Sequence, residues 1–275
     1  MAVLFALTAA VAYGVSDFVA GLASRRTSAW PVAIMAAIGA LLGAVVLALA
    51  LPGDPVGSDL AWGGVAGLGS GMGSAFLYRG LALGRMGVVA PISAIFAALL
   101  PVVAGVATGE RPSALVWLGI GAAVPAIWLV SREPGGSSAP SAGVLDGVLA
   151  GIGFGLLFAG TGQVDDGAGY WPLAMTQLVS MAFIVTLSVA LRQSWVPRAA
   201  SDWWGAVAGL LASLAVLAFL LATHRGLLAV SAVLTSLYPA ATVLLAVVVL
   251  REHVHRAQAL GLLLCGVAVA LVAAG

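Results

Sequence analysis

The two halves of the chain repeat one another, and that repetition limits the folds open to it. WGGVAGL at Trp62 to Leu68 returns as WGAVAGL at Trp204 to Leu210, and at the same offset Gly84 falls on Gly226, Ala90 on Ala232 and Glu110 on Glu252. One residue off that offset, Tyr13-Gly14 matches Phe154-Gly155, Gly21 matches Gly162, and Trp30-Pro31 matches Trp171-Pro172. The chain therefore reads as two copies of one unit, residues 1–132 and 142–275. They are joined by a Pro-, Gly- and Ser-rich linker at 133–141 that has no need to pack.

What each unit contains follows from its apolar runs. A helix needs about 20 mostly apolar residues to cross a bilayer. Ten segments qualify, near 2–23, 30–51, 61–82, 86–108, 113–131, 143–163, 170–191, 202–222, 228–250 and 256–274. With 62% hydrophobic and 8% charged residues, the chain lies far from soluble domains, in which about a quarter of residues are charged. The fold class expected is an all-α membrane protein, its ten transmembrane helices arranged as two inverted five-helix repeats. Inversion follows from the odd number of spans per copy, and the arginines swap sides accordingly. They follow the first helix (Arg25, Arg26) and flank the third-to-fourth turn (Arg79, Arg85) in one copy; in the other they follow the second (Arg192, Arg198) and fourth (Arg251, Arg256) helices. With Arg132, nine arginines occupy odd-numbered connections, against Arg111 and Arg225 in the even ones. Taken alone, this bias puts the nine in the cytoplasm and both termini outside.

Composition also removes several function classes. All eleven basic residues are arginine, and against ten acids they leave a net charge of +1, so no basic surface points to nucleic acid. Cys265 has no partner cysteine and reads as a small packing residue. No cofactor is expected. No metal site is expected either, since His253 and His255 stand in a charged connection without acids or cysteines at ligand spacing. The first segment lacks a basic leader and is matched inside the second copy, so it reads as part of the fold rather than as a signal peptide.

Helices in lipid associate through small residues that let backbones approach. Gly143, Gly147, Gly151 and Gly155 form such a stripe on the sixth helix, and Gly63/Gly67 and Gly205/Gly209 repeat it on the third and eighth. Those glycines read as packing. An acid within a span is costly and marks a functional site by default. Asp17 reads as the only acid well inside a span, and Tyr13, Ser16 and Asp17 share one helical face. Asp17 either binds a cationic group or carries a coupling proton; alternatively it lies near the interface and pairs with an arginine. Polar stripes recur at helical spacing as Ser231, Thr235, Tyr238 and Thr242 on the ninth helix and as Ser70, Ser74 and Tyr78 on the third. These hydroxyls either face a cavity or bond backbone carbonyls between helices. Ser93, Gln163 and Gln177 are further polar positions, and Pro91, Pro101 and Pro239 interrupt spans as hinges or static kinks. Glu110 and Glu252, beside Arg111 and Arg251, read as local ion pairs or caps on the following helix, and Asp165-Asp166 as charge sorting.

Tyr78 to Gly84 (YRGLALG), Val89-Ala90-Pro91-Ile92, Gly109-Glu110-Arg111, His224-Arg225-Gly226, Ser236-Leu237-Tyr238-Pro239 and Leu250-Arg251-Glu252 stand at matching places in the two copies. In these motifs the whole chain resembles the drug/metabolite transporter superfamily, in particular its EamA-type branch. The resemblance implies a secondary transporter working by alternating access, often an exporter of amino acids or other small metabolites. Its substrate site would lie between the copies, lined by Tyr13, Ser16, Asp17, Tyr78, Ser93, Thr235 and Tyr238. It implies a multi-pass protein of the cell membrane, of bacterial cytoplasmic type, with a small-molecule substrate and membrane lipids as partners, acting as monomer or homodimer. The family orientation, with both termini in the cytoplasm, opposes the arginine bias, and Arg79 and Arg251 are the residues expected to snorkel from helix ends. A lipid flippase on the same scaffold is the alternative. An intramembrane enzyme is not expected: Gly69-Ser70-Gly71 resembles a nucleophile turn, but no histidine lies inside a span.

Overall fold

The computed structural model describes residues 1–24, 26–51, 53–82, 86–130, 143–250 and 254–275. The linker at 133–141 and Arg25, Gly84, Arg85, Arg132, Arg251, Glu252 and His253 lie outside the described residues. In lipid every backbone N–H and C=O must find a partner within the chain, so uninterrupted apolar segments become helices. Eleven α-helices form among the described residues, and no strand: α1 (Ala2–Ser24), α2 (Ala29–Ala50), α3 (Gly57–Ala82), α4 (Met86–Ala107), α5 (Ala114–Val130), α6 (Val144–Thr161), α7 (Trp171–Ala190), α8 (Trp204–Thr223), α9 (Leu228–Thr235), α10 (Tyr238–Leu250) and α11 (Arg256–Ala274). Among the described residues seven stretches are long and apolar enough to cross a membrane, α9 and α10 counting together as one; Ile92–Ala107 and Ala114–Val130 are shorter apolar helices. The chain is a multi-pass membrane protein.

The expected ninth helix, 228–250, is not continuous. It breaks at Ser236-Leu237 into α9 and α10. Pro239 supplies the cause, because it has no N–H to offer the Thr235 carbonyl four residues back, and the chain turns through Leu237 N–H to Leu234 C=O (3.2 Å) instead. Pro101 and Pro125, by contrast, sit within unbroken helix.

Size sorts the side chains opposite to a soluble core. Ala6, Ala9, Ala44, Ala66, Ala97 and Ala208 are fully buried, whereas Leu42, Val46, Leu49, Leu214 and Leu263 point outward. Lipid solvates leucine as well as protein does, so the interior is chosen for close approach. α3 packs on α6 and α7; α8 packs on α1 and α2; α4 lies on α6, and α1 on α9 and α10; α5 pairs with α11. The glycine stripe makes the α4–α6 contact: a Cβ on Gly151 would stand 2.7 Å from the Ser93 carbonyl oxygen, and one on Gly155 would stand 2.6 Å from Leu100 Cβ. Gly63 and Gly67 bring α3 against Pro172 and Thr176 of α7, just as Gly205 and Gly209 bring α8 against Val32 and Ala36 of α2.

Polar contacts define two faces of the bundle. On the first, where α1 begins, Asp54 N–H donates to Gly167 C=O at 3.0 Å, and buried Asp59 accepts from Val56 N–H (2.9 Å) and Asp165 N–H (3.2 Å). His224 faces both Val164 C=O at 3.0 Å and the Asp166 carboxylate at 2.8 Å, so Asp166 makes a specific contact beyond charge sorting. Arg225 lies over the Phe5 ring at 5.0 Å. On the second face buried Asp202 accepts from Arg198 and Ala199 N–H, both at 2.8 Å.

Candidate functional site

Three tyrosines from three helices gather around Asp17. α1 presents Tyr13 and Asp17 one turn apart, the spacing that puts both on one face. The break between α9 and α10 brings in Tyr238, its ring centroid 6.4 Å from that of Tyr13. Tyr78 arrives on α3, and the Asp17 carboxylate lies within electrostatic reach of all three. The tyrosines are buried and Asp17 is half-buried. Phe158, which the repeat aligns with Asp17, completes the group from α6: its ring lies 5.9 Å from Tyr13, edge to face, and 4.6 Å from Phe219 of α8.

The hydrogen bonding of this cluster is incomplete. Among the described residues the hydroxyls of Tyr13, Tyr238 and Ser93 are buried without a hydrogen-bond partner, although Tyr238 and Ser93 adjoin. A buried hydroxyl left unpaired costs roughly 1–3 kcal/mol, so three in one place call for an explanation. Among the described residues Asp17 joins neither ion pair, and no hydrogen-bond donor reaches it. A bound molecule carrying a positive charge and polar hydrogens would satisfy the carboxylate and the free oxygens together.

Two other expected residues spend their hydroxyls on helix contacts. Ser16 donates to the Ala208 carbonyl of α8 at 2.8 Å, and Thr235 to the Ala6 carbonyl of α1 at 3.3 Å. Ser16 keeps a tie to the cluster, since the Tyr78 hydroxyl approaches it. Thr242 donates to the carbonyls of Gly14 and Tyr238, and Ser180 to Ser70 at 3.3 Å. Gln177 is buried on α7, and Gln163 lies in the turn after α6.

Sequence reasoning missed Asp146. It is a buried acid within an expected span, in the first turn of α6, and it accepts from Arg79 Nε at 2.9 Å and Nη2 at 2.5 Å. Arg79 therefore does not snorkel freely. It is held between Asp146 and the Phe76 ring, 4.8 Å away. The position of Asp146 near a span end hid it, and its partner is 67 residues distant. The pair is unequal, the Asp146 side chain 7% exposed and that of Arg79 34% exposed. Arg79→Ala, which strands the buried carboxylate, is expected to cost about 3 kcal/mol. Asp146→Ala leaves a guanidinium that can reach water and costs about 1 kcal/mol. Thermal midpoints of the two variants in one detergent check the order; equal losses would contradict it.

Glu110 is corrected as well. Among the described residues it neither caps the following helix nor pairs with Arg111. Its carboxylate accepts the N–H groups of Leu228, in a short contact, and Ala229, at 3.0 Å, and so caps α9 in the other half of the chain.

Residues 141–274 match the sequence profile of the EamA-like transporter family. No curated protein matches the chain in sequence. In fold it is similar to a protein of known crystal structure, with a TM-score of 0.76 at 18% identity over 98% of this chain and 95% of that one. Identity that low shows a shared fold and nothing about activity. The match to the EamA-like transporter family covers the second half of the chain and supports the expected kinship with the drug/metabolite transporter superfamily. The match points to a membrane transporter of that type.

Proposed function

We propose that the chain is a secondary transporter that exports a small cationic metabolite, an amine or an amino acid bound through its ammonium group, by alternating access. The observation that carries this reading is half-buried Asp17, without an ion-pair partner among the described residues and ringed by Tyr13, Tyr78 and Tyr238. A carboxylate gives an ammonium a charge-assisted hydrogen bond, and aromatic faces add cation–π attraction. Ser16 and Ser93, beside Tyr78 and Tyr238, form the rim of the site, and Thr235 ties the same region to α1 through the Ala6 carbonyl. The same carboxylate is the candidate to hold a coupling proton when substrate is absent, since a lone acid in a membrane interior is most cheaply kept neutral or paired.

In this reading ten transmembrane helices form two inverted repeats, 1–132 and 142–275, with the site at their junction. The mirrored pairing of α3 with α6 and α7, and of α8 with α1 and α2, supports it. So do the matching glycine crossings at Gly63/Gly67 and Gly205/Gly209. Opposed copies give one site a route to either side. The broken α9–α10 segment is a further support, since transporters build central sites at discontinuous helices. The bacterial cytoplasmic membrane and a monomer or homodimer are the setting we assign.

The test is thermal unfolding of the purified protein against amines, amino acids, sugars, nucleosides and lipid head groups. A ligand of the folded state raises the midpoint with its concentration over Kd; at 100 Kd it adds about 2.7 kcal/mol. Ammonium compounds should do so and their neutral analogues should not. Stabilisation by lipids alone would turn the assignment to a flippase.

A further inference from the structure

We infer that Glu110 is the latch holding the first face of the bundle shut, a positioning residue whose release lets that face open. α9 begins without a cap of its own: Leu227 precedes it in extended conformation and supplies no side-chain hydrogen bond. Its first free N–H groups, on Leu228 and Ala229, are taken by the two oxygens of one carboxylate 118 and 119 residues away, across the junction of the two sequence repeats. The turn that delivers this carboxylate is built for it. Gly109 takes φ +101, a conformation that suits glycine, and Glu110 N–H donates back to Gly105 C=O at 2.9 Å. A Cβ on Gly105 would collide with Glu110 Oε2, so the helix end is bare where the carboxylate lies.

The burial of the two half-helices fits a closed first face. Every residue from Leu228 to Pro239 is buried, whereas the described side chains of α10 beyond them are half-buried or exposed. Arg225 on Phe5, Asp54 on Gly167 and Asp59 on Asp165 are further links across the repeats on this face. A cap on a helix end forms or breaks as a unit, unlike a packed apolar surface, so it suits a contact that must open and reclose. The inference rests on the transporter reading for the purpose of opening only; the contact is tested without substrate.

The experiment uses the full chain with Cys265→Ala and a reporter thiol from Ser231→Cys, one turn into the buried α9. The reaction rate of that thiol with a polar maleimide is read in detergent. Glu110→Ala should raise it about tenfold, and Glu110→Gln, which keeps one acceptor oxygen, should fall between. Gly105→Ala, which displaces the carboxylate without removing it, should act in the same direction and keeps the test open where Glu110→Ala does not fold. A thiol from Ser188→Cys, buried near the second-face end of α7, should keep its rate. An unchanged rate at position 231 in folded Glu110→Ala overturns the latch, and so does an equal rise at 188, which means general loosening. A rise at 231 alone in a protein that binds none of the test compounds keeps the latch and sinks the transporter reading.

Discussion

Asp17→Asn should abolish tight binding of ammonium ligands while leaving the protein as stable as before, or more so. Asn keeps the shape of the side chain and removes the charge. Truncating one partner of a buried charged pair costs about 2–5 kcal/mol, so affinity should fall by about 30-fold or more. The effect on the free protein runs the other way. With no ion-pair or hydrogen-bond partner for Asp17 among the described residues, the carboxylate is a burden on the empty protein, and its neutral isostere relieves that. Opposite signs in binding and stability mark a residue kept for function, since a structural residue would lose both. Calorimetric affinity and the unfolding midpoint on the same preparation give the two readouts. An Asp17→Asn protein with native affinity for ammonium compounds would end the proposal. One that binds normally but unfolds earlier would return Asp17 to a structural role.

Asp17 was legible because a charge in an apolar run stands out, and helical spacing joined Tyr13 to it. Tyr238 was legible as part of a stripe on one continuous helix. Its actual setting was not, because the stripe crosses a break, and of the three prolines expected to interrupt spans only Pro239 stands at one. Ser16 and Thr235 show a second limit. Spacing places a hydroxyl on a face, but a neighbouring helix decides what it bonds, and here the carbonyls of Ala208 and Ala6 do so. Asp146 and Glu110 show the third. Their partners, Arg79 and the start of α9, are far along the chain, and nothing local announces a contact made by folding. Composition is summed over many residues and survives such surprises; single polar partners do not.

The glycines allow a prediction in which one kind of substitution changes sign with its surroundings. Gly209→Ala should unfold the protein well below its native midpoint, because the added methyl would overlap the Ala36 carbonyl oxygen on α2. That neighbour is backbone, so α2 and α8 must separate along a contact that Gly205 and Gly39 share, and overpacking of this kind costs about 1–3 kcal/mol or more. Gly266→Ala on α11 and Gly121→Ala on α5 meet nothing within 4 Å. There the methyl only limits the freedom of the unfolded chain and adds helix propensity, worth up to about 1 kcal/mol, so both should hold or raise the midpoint. Cys265 makes the measurement simple. It is the single cysteine and is buried, so a thiol-reactive dye lights up only as α11 comes away from α5. If Gly209→Ala and Gly266→Ala unfold together, backbone approach is not what holds α2 to α8. The lipid-facing leucines would then have to supply the cohesion, although the surrounding acyl chains offer them contacts just as good.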